Sequence, residues 1–197
     1  EVIVGLKKPD SGRVEIFSQD ASTFSIKSRR RHGLRYIPAD RNSEALALNC
    51  TCNENLVASD YANNVALFKW NSKIQQNKLA FEKIKTINVK GQNKLGSQPV
   101  KYLSGGNLQK VVVGREMDEQ AKILLFHSPT QGLDIAAQRS VWNSIIDAAN
   151  NLAAVLIISE DLEEVFALSD KILVMSSGRV LHADVDLPPR EKIGRMM

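Results

Sequence analysis

Short apolar runs alternate with longer amphipathic stretches along this chain, and that alternation predicts a mixed α/β fold. Residues 13–17 alternate polar and apolar side chains, the period of a half-exposed strand. Residues 34–37, 123–126 and 154–158 are continuous runs, ended by Pro38, by Ser128-Pro129 and by Ser159. Runs of that kind suit strands covered on both faces, as in a parallel sheet. Residues 171–175 and 179–183 flank Ser176-Ser177-Gly178 and read as a hairpin. Helical patterns span residues 53–61, 73–87, 107–117, 136–152 and 161–168. Asp161 stands where it can cap the last of these, with Glu164 at capping-box spacing. The polar stretch between Ile87 and Leu103, with Gly91, Gly96 and Pro99, is expected to be a surface loop. The sum is an α/β fold of β-α-β-α-β order, a mostly parallel sheet with flanking helices and a helical insertion near residues 50–90.

Composition narrows the class. A chain of 197 residues, 43% hydrophobic and 24% charged, excludes collagen-like, disordered and disulfide-scaffold proteins. No apolar run approaches the roughly 20 residues of a membrane-spanning helix. No signal peptide stands at the start, so a cytosolic chain is expected, and opening on Glu1 rather than Met suggests a cut or processed piece. The net charge of +4 is mild. Its densest basic run is Lys27, Arg29, Arg30, Arg31 and His32, which lacks the interleaved aromatics of a nucleic-acid module. A solvated helix face is expected there, with acidic lipid headgroups as the other reading. Cys50 and Cys52 form a lone C-x-C and the histidines are scattered, so reduced structural thiols and no metal site are expected.

The sharpest chemistry lies in Leu103-Ser104-Gly105-Gly106-Asn107-Leu108-Gln109-Lys110. A Ser-Gly-Gly turn opening a helix presents backbone N–H groups that lack intrahelical partners, at the positive end of the helix dipole. Glycine lets a phosphate approach that backbone. Ser104 acting simply as the helix cap is the other reading of the same residues.

Downstream stand Arg115-Glu116, the run ending in Phe126, Pro129-Thr130, Gly132-Leu133-Asp134, Val155-Leu156-Ile157-Ile158 and Ser159-Glu160-Asp161-Leu162-Glu163-Glu164. Leu168-Ser169-Asp170-Lys171-Ile172 and Gly178-Arg179-Val180 follow. This order resembles the ABC ATPase domain, from its signature motif through Walker B, D-loop and switch to the closing hairpin. It is most similar to the second ATPase half of tandem importers for simple sugars and nucleosides. Upstream, Leu6 to Val14 looks like the segment after the Walker A helix, and Ile37-Pro38-Ala39-Asp40-Arg41 resembles the Q-loop region. Glu54-Asn55-Leu56 and Arg190-Glu191-Lys192-Ile193-Gly194 extend the likeness over essentially the whole chain.

The resemblance implies one partial ABC ATPase domain over residues 1–197, with a helical, signature-bearing subdomain over about residues 50–118 and a RecA-like core from the rest. It also locates departures. No G-x-x-x-x-G-K-[ST] occurs, so the amino-terminal strands and the phosphate-gripping loop are expected to be missing. Where the family places its metal carboxylate and catalytic base stand His127 and Ser128. Ser128 cannot act as a general base near neutral pH. His127 as a metal ligand has no visible partner, and a packed or hydrogen-bonded histidine is the expectation. The switch position, usually His, is Glu160, whose carboxylate faces phosphate unfavourably. The Q-loop glutamine has no counterpart near Pro38 and Ala39.

What stays intact by resemblance is the half-site that serves a partner. Ser104, Gly105, Gly106 and Asn107 would donate to the phosphate of ATP held by another ABC ATPase domain, in an assembly that uses ATP and Mg2+. Gly132, Leu133 and Asp134 would form the D-loop, Asp134 also being placed to cap the following helix. The helical insertion and Asp40-Arg41 would touch transmembrane permease subunits at the cytoplasmic face of the membrane, and a solute-binding protein would be an indirect partner. The chain alone is expected to bind neither ATP nor metal and to hydrolyse negligible ATP. A non-catalytic scaffold, or a soluble nucleic-acid-associated ABC protein, are the alternatives; nucleic acid is not expected as a partner.

Overall fold

The computed structural model describes residues 1–63, Ala80 and residues 98–182. The helix expected over residues 73–87, apart from Ala80, and the motif at residues 190–194 lie outside the described residues.

Three parallel strands, β3 (Leu34–Ile37), β4 (Ile123–His127) and β5 (Ala154–Ile158), form the central sheet in the order β3-β4-β5. The register pairs Ile37 with Phe126 and His127 with Ile158, so all three strands end at one rim. Helices α2 (Cys52–Asn63), α3 (Gly105–Glu116) and α4 (Ile135–Asn150) follow in chain order. Ile37, Leu56, Val111, Val112, Leu124, Phe126, Val141 and Ile145 make the main core between sheet and helices. A second cluster, Val4, Ile16, Ala21, Leu34 and Leu125, lies on the other side of the sheet. Helix α5 (Leu162–Leu168) precedes the antiparallel hairpin of β6 (Leu173–Ser176) and β7 (Arg179–His182). Its two-residue turn puts Ser177 at φ 48° and Gly178 at φ 74°, the twist such hairpins require.

The expected order is present, with local corrections. The strand read over residues 13–17 shortens to β1 (Glu15–Ile16), paired with β2 (Gln19–Asp20). Phe17 and Ser18 take positive φ of 49° and 61°, so the chain turns where continued alternation was expected. Strand β5 is not covered on both faces: among the described residues it is an edge of the sheet, with Leu156 39% and Ile158 47% exposed. The surface loop read up to Leu103 ends in a bridge between Thr51 and Pro99 and a short 3-10 turn, Val100–Tyr102, whose Val100 is fully buried.

The basic run is also not a solvated face. In α1 (Ile26–Arg31), Arg29 is buried and donates to the carbonyls of Phe24, Val2, Ile3 and Ala21. Four carbonyls that no regular element serves thus converge on one guanidinium, which is what makes burying the charge tolerable. Arg30 pairs with Glu116 at 2.8 Å, and His32 packs on Phe24; only Lys27 and Arg31 face solvent.

Candidate functional site

The rim where β3, β4 and β5 end carries most of the residues singled out from the sequence. Ligands of parallel sheets bind at that end of the strands. Pro38 is buried and Ala39 half-buried beyond β3. Asp40 then caps a one-turn π-helix, Arg41–Ala45, accepting from the N–H groups of Asn42 and Ser43 and from the Ser43 hydroxyl at 2.6 Å. Those bonds, the hydroxyl's first, hold the Asp40 carboxyl below the ordinary aspartate value. Single π-turns are frequent at functional sites, and the first residue of this one projects toward the rim.

That first residue is Arg41. Its Nη1 donates to the Gln131 carbonyl at 3.1 Å. Its Nη2 lies 3.0 Å from the place a Cβ on Gly105 would take, and the Gly132 carbonyl oxygen lies 3.8 Å from that same place. Residues from three separate segments, 38–41, 104–107 and 132–134, are therefore gathered around Gly105. A cleft of about 310 Å³ adjoins them, lined by Ala39, Asp40, Arg41, Asn42 and Gln131.

The two glycines have distinct structural reasons. Gly105 leaves room for Arg41. A Cβ on Gly106 would stand 2.8 Å from the Ala137 Cβ, so Gly106 permits the close approach of α3 and α4. Ser104 sits at the cap position with extended backbone, yet its hydroxyl makes no capping bond to the helix. It accepts instead from the Asn107 side-chain amide at 3.1 Å and is exposed. The cap reading of Ser104 therefore holds for its backbone, whose carbonyl accepts from Leu108 N–H, and not for its hydroxyl.

Asp134 caps α4, its carboxylate accepting from Ala137 N–H at 2.8 Å. Leu133 packs half-buried against the main core, while Gly132 is exposed. His127 is exposed at the end of β4 rather than packed or hydrogen-bonded, because the strand carries it past the core to the rim. Ser128 takes φ 45° and donates its N–H to the Ile158 carbonyl, which locks the turn after β4 to β5. Glu160 is exposed two residues past β5. Among the described residues no group of three or more His, Cys, Asp or Glu side chains is placed to hold a metal ion. A magnesium ion does not fit His127, Ser128 and Glu160, which offer one imidazole, one hydroxyl and one carboxylate without a shared cluster.

Two polar cores were not legible from motif spacing. Glu164 does not close a capping box. It is buried and accepts from the Thr130 hydroxyl at 2.7 Å and Trp142 Nε1 at 3.1 Å, tying the turn before Gly132 to α4 and α5. Arg35 is fully buried in β3 and makes a bidentate pair with Asp118. An arginine inside an otherwise apolar strand is the signal for such a partner, since a buried guanidinium must be matched.

Comparison with known proteins identifies the family and the fold. The family model for ABC transporter matches residues 1–131. A ribose import ATP-binding protein of Rubrobacter xylanophilus is 31% identical over 180 residues, covering 91% of this chain and 34% of its own length. An arabinose import ATP-binding protein of Vibrio parahaemolyticus is 32% identical over 184 residues, covering 91% and 35%. The chain spans about a third of the length of the curated relatives it matches. Among solved structures, a nucleotide-free ATP-binding cassette from an ABC transporter superposes with TM-score 0.73 at 21% identity, over 99% of this chain and 76% of that one. A dimeric post-hydrolysis cassette bound to ADP and Pi gives 0.72 at 20%, over 92% and 77%. These structural likenesses establish the fold.

Proposed function

The chain belongs to the ABC transporter ATP-binding family, and from that premise we propose that it is part of the ATP-binding subunit of an importer for sugars or nucleosides. In this reading it serves ATP held by a partner ATPase domain. Ser104 Oγ and the N–H groups at the start of α3 meet the terminal phosphate, and residues 132–134 cross to the partner. Donors fixed in place before charge develops lower the barrier to hydrolysis because little reorganisation is left to do. The gathering of residues 38–41, 104–107 and 132–134 around Gly105 is the observation that carries the reading. ATP and Mg2+ are supplied through the partner's site, and this chain's own residues do no more than bind and orient the phosphate.

The chain works at the cytoplasmic face of the membrane against a permease, contacted by the helical subdomain and the Asp40-Arg41 turn, with a solute-binding protein beyond. Among the described residues no helix is long and apolar enough to cross a membrane. The chain alone turns over no ATP, since His127, Ser128 and Glu160 supply neither a metal carboxylate nor a base. An ATPase assay of the isolated chain is expected to match buffer, and turnover above that control overturns this part. In the assembled transporter, Ser104→Ala is expected to lower ATP hydrolysis and transport together. Unchanged rates in that variant would hand the function to a non-catalytic scaffold.

A further inference from the structure

The guanidinium of Arg41 has a feature that the phosphate reading does not use. Its Nε is shut off from water and has no partner among the described residues, while Nη1 is bonded to the Gln131 carbonyl and Nη2 is seated against Gly105. A fold leaves a buried donor unmatched when the rest of the group is fixed by stronger constraints. The backbone on which Arg41 sits is itself fixed twice. Asp40 caps its turn, and the turn's last residue, Ala45, accepts through its carbonyl from Arg115 Nη1 at 2.7 Å, near the far end of α3. The turn therefore meets α3 through Arg115 near its far end and through Arg41 at Gly105, and Arg41 also reaches the loop after β4.

We propose that Arg41 is a positioning residue, a latch that holds the start of α3 and the loop of residues 131–134 together as one rigid piece. Each segment has hydrogen bonds of its own, whose opening the latch restrains. The α3 start is built by the bond from Leu108 N–H to the Ser104 carbonyl, and the loop by bonds from Gln131 N–H to Ser128 and from Leu133 N–H to Thr130. The latch sets their mutual placement. It also bears on glycine at position 105, since a Cβ there would stand 3.0 Å from Nη2 and oblige the guanidinium to give way by a few tenths of an ångström. A lysine could keep the charge but could not span both contacts, having one ammonium in place of a planar fork. The inference stands whether or not the turn meets a phosphate; if it does, the donor turn and the crossing loop reach the partner as a single surface.

Amide hydrogen exchange of the full chain tests this, read at Leu108, Gln131 and Leu133. Arg41→Gln and Arg41→Lys are each expected to speed exchange at all three amides by about tenfold, the effect of one lost charge-assisted bond. The β4 amides of Leu124 and Leu125 should keep their wild-type rates. Acceleration on one side of the contact only, or on neither, overturns the latch. So does full rescue by lysine. Gly105→Ala leaves every charge in place and is expected to speed exchange at Gln131 and Leu133, across the contact. The double variant Arg41→Gln with Gly105→Ala should add nothing at those two amides, because both changes break one coupling. Should the Arg41 variants unfold the chain, the Gly105→Ala result decides alone: no change at Gln131 and Leu133 overturns the proposal.

Discussion

Replacing Glu116 gives the most searching test of how this fold is held, because one carboxylate there serves two buried cations. Glu116 is 3% exposed in its side chain and accepts from Arg30 Nη1 and Arg115 Nε, both at 2.8 Å; those arginine side chains are 18% and 11% exposed. Arg115 spends another donor on Ala45, whereas Arg30 Nη2 already has no partner. Glu116→Ala therefore leaves two largely buried guanidiniums without a counter-charge. Breaking a buried pair in that way costs about 3–5 kcal/mol. Against the roughly 5–15 kcal/mol that holds a domain together, that is at least about a fifth. Glu116→Gln keeps the shape and one acceptor oxygen, but turns an NH2 toward the other guanidinium, and is expected to cost about 2–4 kcal/mol. In urea unfolding followed by far-UV circular dichroism, with a slope of about 2 kcal/mol per molar, the Gln variant's midpoint should fall by about 1–2 M. Adding 1 M salt to the wild type should not reproduce the loss, since buried charges are poorly screened. A Glu116→Gln midpoint within about 0.3 M of wild type would show that the three charges are solvated in practice, and the reasoning would fail.

Gly106→Ala is expected to destabilise by about 1–3 kcal/mol through its clash with Ala137, and adding Ala137→Gly should restore most of it; strictly additive losses would refute the close packing of α3 on α4. Burial pushes the Cys52 thiol up to about 11, whereas Cys50 is exposed. Iodoacetamide at pH 8 should therefore give one adduct on the native chain, at Cys50, by mass spectrometry, and two adducts would contradict the burial. The depressed Asp40 carboxyl contributes stability above its unfolded pKa and loses it as pH falls through the lower folded one. An NMR titration of Asp40 should have its midpoint below the ordinary aspartate value. Ser43→Ala should move it upward, since the hydroxyl is the largest cause of the shift; no movement would assign the effect elsewhere.

Periodicity located the sheet and its helices because buried strands and amphipathic helices are local patterns. The residues 123–126 and 154–158 runs correspond to β4 and β5, and Asp134 and Asp161 cap the helices they precede. What local pattern could not supply was partnership across the chain. Reading residues 34–37 as apolar passes over Arg35, whose partner Asp118 lies 83 residues away. Reading Arg29 and Arg30 as solvated treats long side chains by their type alone, while their acceptors are carbonyls near the chain start and a carboxylate at position 116. The Ser-Gly-Gly turn stood out by composition. Why each glycine is needed rests on Arg41 and Ala137, neither adjacent in sequence.

The open side of β5 has a consequence for handling the protein. Leu156 and Ile158 stand half-uncovered on the edge strand, and Leu173 and Met175 of β6 are 58% and 75% exposed. A strand edge that none of the described strands covers, flanked by such side chains, is a template for pairing with another chain. Association should therefore rise with protein concentration. A charged substitution such as Leu156→Lys should lengthen the time to turbidity in a concentrated sample while leaving the unfolding midpoint nearly unchanged.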